Sequence, residues 1–291
     1  MDTWGGSGQL DRCEPQRLNA DWLIAQWADP AALLLSVDKS GRLNVGDDLA
    51  IVERRPTGEF DPQRHYLLGL SAGRPVFVES AEVENGAGLR ELMPVLGDAG
   101  RELAVAAVAL VQWHRTSPHC GLCGALTLVT AGGMVRHCPS CGRDRFPRSD
   151  PAIIVAVLDA DDRLLLGHQA VWPTGRMSVL AGFVTAGESL EQAVHREVGE
   201  ETGLRLSAVR YVASQPWPFP RSLMLGFVAR AASTEIQVDG VEIEYARWFT
   251  REELTAAVDA GEVGLPSEAS IAHRLVADWR WGILLAAGAG Q

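Results

Sequence analysis

The sequence predicts an α+β protein laid out in three parts, and three observations carry that reading. Short apolar or β-branched runs alternate with stretches of helical periodicity, a mixture that implies sheets covered by helices. Composition shifts twice along the chain, near residues 115 and 148. Four of the five cysteines are confined to the short middle stretch. The expected division is an N-terminal α/β domain over 1–115, a cysteine-bearing module over 116–147 and an α+β sandwich over 148–291.

The elements follow in order. Ala31–Val37, Tyr66–Leu70 and Pro75–Val78 are short apolar runs between Gly and Pro breaks and predict strands. Glu102–Trp113 is alanine-rich and predicts a buried helix. After the cysteines, Ile153–Leu158 predicts a strand, Asp159–Arg163 a turn and Leu164–Gly167 the returning strand. Ser149-Asp150 is read as a turn before them. Ser189–Thr202 has helical periodicity and stops at Gly203, a residue suited to a C-cap. Tyr211–Ala213, Leu223–Ala229 and Ala246–Phe249 predict further strands, and Glu268–Leu285 a final helix.

Composition narrows the function. Of 291 residues, 47% are hydrophobic and 22% charged, as in a globular protein able to bury a full core. Lys and Arg number 26 against 37 Asp and Glu, a formal net charge of −11. A passive binder of nucleic acid or of anionic membrane needs a basic footprint instead. Met1–Ala20 has no basic region followed by an apolar run, and the longest apolar stretch, Leu103–Val111, is too short to span a bilayer. A cytoplasmic protein with no membrane partner is expected.

Cys120-Gly-Leu-Cys123 and Cys138-Pro-Ser-Cys141 are separated by fourteen residues. Paired thiols at this spacing predict two knuckles that close one tetrahedral Zn²⁺ site per chain. Gly124 and Gly142 follow the pairs, where positive φ is often required. A four-thiolate site has no open position, so its expected role is structural. Cys13, alone near the N-terminus, is read as incidental.

The sharpest pattern lies in Gly182–Leu204. Leu190 and Val194 share one helix face, and Glu197 and Glu201 continue that apolar stripe two turns on. Glu200 is expected beside Glu197 at the same inner edge. Carboxylates crowded there repel one another and lose hydration. Divalent cations with oxygen preference, Mg²⁺ or Mn²⁺, remove both costs.

At every fixed position this segment resembles the Nudix box, G-x5-E-x7-R-E-U-x-E-E-x-G-U with U apolar. The resemblance implies a Nudix α/β/α sandwich that hydrolyses a nucleoside diphosphate linked to another group. It implies two or three Mg²⁺ or Mn²⁺ ions held by Glu197, Glu201 and the Ala181 carbonyl, with Glu201 most tied to water activation and Glu200 nearby. Arg196 is expected to brace the box by pairing with Glu188.

Ten residues past the box lies Ser214-Gln215-Pro216-Trp217-Pro218-Phe219-Pro220-Arg221-Ser222. Three prolines in five residues exclude a helix or a central strand and predict a rigid platform presenting Trp217 and Phe219. With a four-Cys ribbon upstream and a Nudix box between, the run is similar to the signature of the NAD(H) diphosphatase family. That resemblance covers roughly residues 89–280. It implies cleavage of NADH, and of NAD⁺ more slowly, to AMP and nicotinamide mononucleotide, with removal of NAD caps from RNA 5′ ends by the same chemistry. It implies Gln215 to Ser222 as the substrate loop, Glu242 as a further metal ligand, and Ala272 and Arg90 as substrate contacts. Phe183 and Phe146 would sandwich a base, one from each subunit of a homodimer. The rival from another class is a catalytically weak zinc-ribbon nucleic-acid-binding protein, for which Arg136, Arg143 and Arg145 would supply the basic contacts.

Overall fold

A computed structural model of the chain describes residues 4–284. The chain divides between Arg148 and Ser149 into two units.

The first unit opens with β1 (Leu10–Asp11), α1 (Ala20–Trp27), β2 (Leu33–Val37), β3 (Leu43–Asn44), β4 (His65–Ser71), β5 (Arg74–Ser80) and β6 (Gly86–Ala87). These strands form one mixed sheet in the order β1-β4-β5-β2-β3-β6, with β2 and β5 parallel. Leu23 and Trp27 of α1 bury against Leu34, Leu67 and Phe77 of the sheet. A short α2 (Leu89–Leu92) precedes α3 (Asp98–Thr116), the expected alanine-rich helix extended at both ends. Three small strands follow, β7 (Leu128–Thr130), β8 (Val135–His137) and β9 (Asp144–Arg145), in the order β7-β8-β9.

Arg136 of β8 points inward rather than to solvent. Its guanidinium donates to Thr127 Oγ1 (2.7 Å), His114 Nδ1 (2.9 Å) and the Thr127 carbonyl (3.1 Å). His114 lies stacked on Tyr66, and burial pushes its pKa down to about 4. Because Arg136 donates to Nδ1, Nε2–H of the neutral ring donates to the Gly133 carbonyl at 2.7 Å. The expectation that Arg136 offers a nucleic-acid contact is therefore corrected: its charge is spent inside the unit. Cys13, read as incidental, is buried.

The second unit is built from β10 (Asp150–Leu158), β11 (Leu164–His168), β12 (Leu180–Phe183), α4 (Leu190–Thr202), β13 (Leu206–Trp217), β14 (Ser222–Ala231), β15 (Tyr245–Phe249), α5 (Arg251–Asp259) and α6 (Ile271–Arg280). The sheet order is β13-β14-β10-β11-β15, with β12 also paired to β10. β10 lies parallel to β14, and its other neighbours are antiparallel. Alternation along β10 explains the layers. Ile153, Val155 and Val157 bury against Ala193, Val194 and Val198 of α4. Ile154, Ala156 and Leu158 join a second core with Leu254 and Ala257 of α5 and Leu275, Val276 and Trp279 of α6. A strand covered on both faces carries a continuous apolar run, and the result is the expected α/β/α sandwich.

Four differences from the sequence reading have local causes. Asp150 begins β10 instead of a turn, because it is hydrogen-bonded and ion-paired to Arg221. β13 runs twelve residues where three were expected, because its ladder with β14 continues from Leu206 to Trp217 without an unbroken apolar run. The last helix is shorter, starting at Ile271 behind a Ser270 cap and ending at Arg280, and Leu285 lies outside the described residues. Helix α5 was not anticipated, although Thr250 and Glu253 form a reciprocal capping box that the sequence displays. Among the described residues no helix is long and apolar enough to cross a membrane.

Candidate active site

Helix α4 begins with a second capping box, Ser189 accepting from Gln192 N–H while the Gln192 side chain accepts from Ser189 N–H. It ends at Gly203 in the left-handed conformation, as its sequence predicts. The loop before it is held by Arg196. Nε and Nη2 of Arg196 form a fork on Glu188 at 2.8 and 3.0 Å, and Nη2 also donates to the Phe183 carbonyl at 2.9 Å. Nη1 reaches Glu197 at 2.9 Å and Glu200 at 3.0 Å. The Arg196 hydrogen bonds hold the Glu188 carboxyl below its ordinary range.

Glu197 and Glu201 are buried as the apolar stripe implied, whereas Glu200 is not. The Glu200 side chain is 64% exposed and turned outward onto Arg196, because a step of one turn from Arg196 places it on the helix flank. Gly182 of β12 explains how Glu197 fits. A Cβ there would lie 2.0 Å from the Glu197 carboxyl carbon, so only glycine lets the carboxylate rest on that strand. Ala181 adjoins it, paired with Ile154 of β10.

Glu201 is the anomaly of the fold. It is 2% exposed, and both carboxylate oxygens lack any hydrogen-bond partner. Burial, followed by the charges of Glu197, Glu242, Asp239 and Glu200, pushes its pKa up to about 8. Burial also raises Glu197, against the pull of Arg196. An orphaned buried carboxylate costs several kcal/mol unless it is protonated or meets a cation. The donor set, carboxylate oxygens beside a strand carbonyl, suits a hard divalent ion. Glu242 arrives from the loop before β15 and adds its charge to that field.

Comparison with known proteins agrees with this geometry. A NUDIX domain model matches residues 148–266, and a model described as the NADH pyrophosphatase zinc ribbon domain matches 115–146. The NAD-capped RNA hydrolase NudC of Mycobacterium bovis is 37% identical over 92% of this chain and 92% of its own. The chain belongs to the NADH pyrophosphatase branch of the Nudix hydrolases. The human NAD-capped RNA hydrolase NUDT12 is 42% identical over 62% of this chain and 42% of its own length.

The proline run splits between strand and turn. Gln215, Pro216 and Trp217 end the edge strand β13, where a missing N–H is tolerated. Trp217 and Phe219 meet edge to face at 5.0 Å, with Pro218 buried and Pro220 exposed. Ser222 opens β14 opposite Trp217. The Gln215 side chain, expected to touch substrate, is spent within the fold. Its Nε2 donates to the Ala269 carbonyl at 2.8 Å, and its Oε1 accepts the Ile271 N–H at 2.7 Å. It thereby fixes the start of α6, which carries the buried Ala272. Arg221 donates to Asp150 Oδ2 at 2.7 Å. Phe183 is 58% exposed at the end of β12. Arg90, on α2, and Phe146, 65% exposed, belong to the first unit.

The ribbon cysteines converge as their spacing predicts. All four sulfurs lie within 4.8 Å of one another, with Cys120–Cys141 at 3.7 Å and Cys123–Cys138 at 3.5 Å. A tetrahedron with Zn–S of about 2.3 Å has sulfur–sulfur edges of about 3.8 Å, so the set fits zinc. Gly124 and Gly142 take φ of +75° and +72°, closing each knuckle. Backbone N–H groups of Cys123 and Leu122 draw Cys120 down to about 6. Cys141, though it accepts the Arg143 N–H, is pushed up to about 12 by the neighbouring sulfurs. Crowded thiolates of this kind need a cation. His137 is occupied by Asp144 at 2.7 Å and competes for no ligand position. Nothing in the structure explains Gly199 inside α4.

Proposed function

We propose that the chain hydrolyses the diphosphate of NADH, and more slowly of NAD⁺, to AMP and nicotinamide mononucleotide. The observation that carries the reading is the partnerless, buried Glu201 carboxylate beside Glu197 in a complete Nudix box. A hydrolase whose substrate is anionic and whose own net charge is −11 needs cations between the two. Glu197, Glu201, Glu242 and the Ala181 carbonyl would hold two or three Mg²⁺ or Mn²⁺ ions. Such ions neutralise a diphosphate and lower the pKa of bound water.

The side chains divide the remaining work. Glu201 orients the attacking water from its buried position, and Glu197 stays close to β12 because Gly182 leaves it room. Arg196 keeps the loop from Phe183 to Glu188 closed on the helix. Trp217 and Phe219 offer ring faces to the dinucleotide, with Arg221 and Ser222 beside them. Arg90, Ala272, Phe183 and Phe146 are kept as substrate contacts, the two phenylalanines as a clamp completed across a homodimer. Water adds to one phosphorus, the bridging P–O bond breaks, and both products leave as phosphomonoesters. Chemistry of this class is mostly positioning and charge neutralisation.

The NAD cap of RNA is the second substrate in this reading, since it has the same scissile bond and both named relatives are NAD-capped RNA hydrolases. Against a purely nucleic-acid-binding role stand the intact box and the buried Arg136. A cytoplasmic setting accords with cysteines paired for metal instead of disulfides. The deciding experiment is mass spectrometry of products from NADH, NAD⁺ and NAD-capped RNA with Mn²⁺ in ¹⁸O-water. One ¹⁸O atom in one monophosphate product is expected, and intact NADH after prolonged incubation would overturn the reading.

A further inference from the structure

The loop before β15 carries a device that the box does not explain. Glu242 stands on a surface turn, yet its backbone is tied down on every side. Asp239 Oδ2 accepts the Glu242 N–H at 3.0 Å. Asp239 Oδ1 accepts from Val241 N–H at 3.2 Å and Ile243 N–H at 3.0 Å. Gly240, at φ +67°, turns the chain so that its own N–H reaches the Ile243 carbonyl at 3.2 Å. One carboxylate thus collects three consecutive amides. Beyond the turn, Ile243 is 2% exposed and bears on Gly167 and Leu180, while Glu244 N–H donates to the His168 carbonyl at 2.9 Å. Glu242 is therefore clamped between a carboxylate-capped turn and a buried anchor.

We infer that Asp239 is a positioning residue for metal binding, the group that presents the Glu242 carboxylate in fixed register with Glu197 and Glu201. The inference rests on the proposed ligand role of Glu242. A flexible arm would lose conformational freedom each time it met an ion, whereas a turn frozen in advance has already met that cost. Both Asp239 oxygens are engaged by backbone amides, although its charge is also felt at Glu201. Its function is geometric, and it should show in affinity for the metal before it shows in turnover.

The test uses full-length, zinc-loaded protein and Mn²⁺ alone as probe, with free Mn²⁺ read by electron paramagnetic resonance and no substrate present. Loss of a residue that orients a metal ligand typically weakens binding about 10- to 100-fold. Asp239→Ala is expected to weaken Mn²⁺ binding by about 10-fold and to speed hydrogen exchange at the amides of Val241, Glu242 and Ile243. With NADH, the Mn²⁺ concentration for half-activation should rise by the same factor, with kcat recovered at saturating metal. Asp239→Asn keeps one acceptor oxygen and should fall between Ala and wild type; it also decides the matter if the alanine variant fails to fold. Unchanged Mn²⁺ affinity in both variants, alongside weakened binding in Glu242→Gln, overturns the role of Asp239 alone. Wild-type affinity in Glu242→Gln overturns the ligand reading on which it rests.

Discussion

The ribbon cysteines and the helix glutamates are both proposed ligand sets, yet they come together differently. All four sulfurs lie within 4.8 Å of one another, and among the described residues this is the one group of three or more His, Cys, Asp or Glu that converges so closely. The carboxylates of Glu197, Glu201 and Glu242 are held further apart, by a strand glycine, a buried helix face and an aspartate-capped turn. Each cysteine pair is made by a single tight turn, within four residues, whose N–H groups already favour thiolate. The glutamate site exists only once β12, α4 and the segment before β15 have met. A closed site can be written into two short peptides. A site that must admit substrate and water is held open by the surrounding fold, and here the fold buries a carboxylate with no partner to do so.

Four outcomes would break or sharpen this contrast. The largest effect is expected in the ribbon, where metal binding is folding energy, roughly 10 kcal/mol in isolated zinc modules. Cys120→Ser should lose zinc and lower the melting temperature by roughly 10 °C or more, at about 2–4 °C per kcal/mol for a domain of this size. Calorimetry paired with elemental analysis checks it; zinc lost with melting unchanged would mean that the ribbon does not staple the unit.

Glu201→Gln should do the reverse, leaving the fold intact and lowering kcat on NADH by at least about 10²-fold, the scale for removing a key electrostatic group. Steady-state kinetics at saturating Mn²⁺ decide it, and near-normal turnover would remove Glu201 from the mechanism.

The same variant carries a pH signature. The folded pKa of Glu201 is raised to about 8 from an ordinary 4.5, so the folded state holds its proton more tightly than the unfolded one. That contribution to stability is fully present below about pH 4.5 and is lost as pH rises through about 8. Without added Mn²⁺, and with zinc retained, wild-type stability should decline across this window, while Glu201→Gln should decline less and gain less from Mn²⁺. Denaturation midpoints against pH would show parallel curves if burial of this charge were unimportant.

The smallest effect is expected at the proline run. Base stacking on an aromatic ring is worth roughly 1–3 kcal/mol, so Phe219→Ala should raise KM for NADH by about 5- to 150-fold. ADP-ribose, which fills less of the site, should suffer less. Equal loss of kcat on NADH, NAD⁺ and ADP-ribose, with KM unchanged, would mean that Trp217 and Phe219 only brace the hairpin between β13 and β14.

Much of this protein was legible before its fold. Spacing alone announced the cysteine knuckles and the positive-φ glycines after them, because a tight turn is a property of four or five residues. Helical period alone placed Glu197 and Glu201 on the apolar stripe, because a two-turn step returns to the same face. The same period was read too generously for Glu200, where a one-residue offset sufficed for Arg196 to draw the side chain outward. What the linear pattern left undetermined were the partners. Gly182 makes room for Glu197 across a strand boundary, Gln215 is claimed by the start of α6, and Arg136 is drawn inward by His114 and Thr127. Asp239-Gly240 signalled a turn, but nothing in those two residues said which glutamate the turn would present. Contacts between residues far apart in sequence depend on register, on which face of a sheet is covered, and on whether a charge finds a partner there. Those quantities arise only when the layers pack.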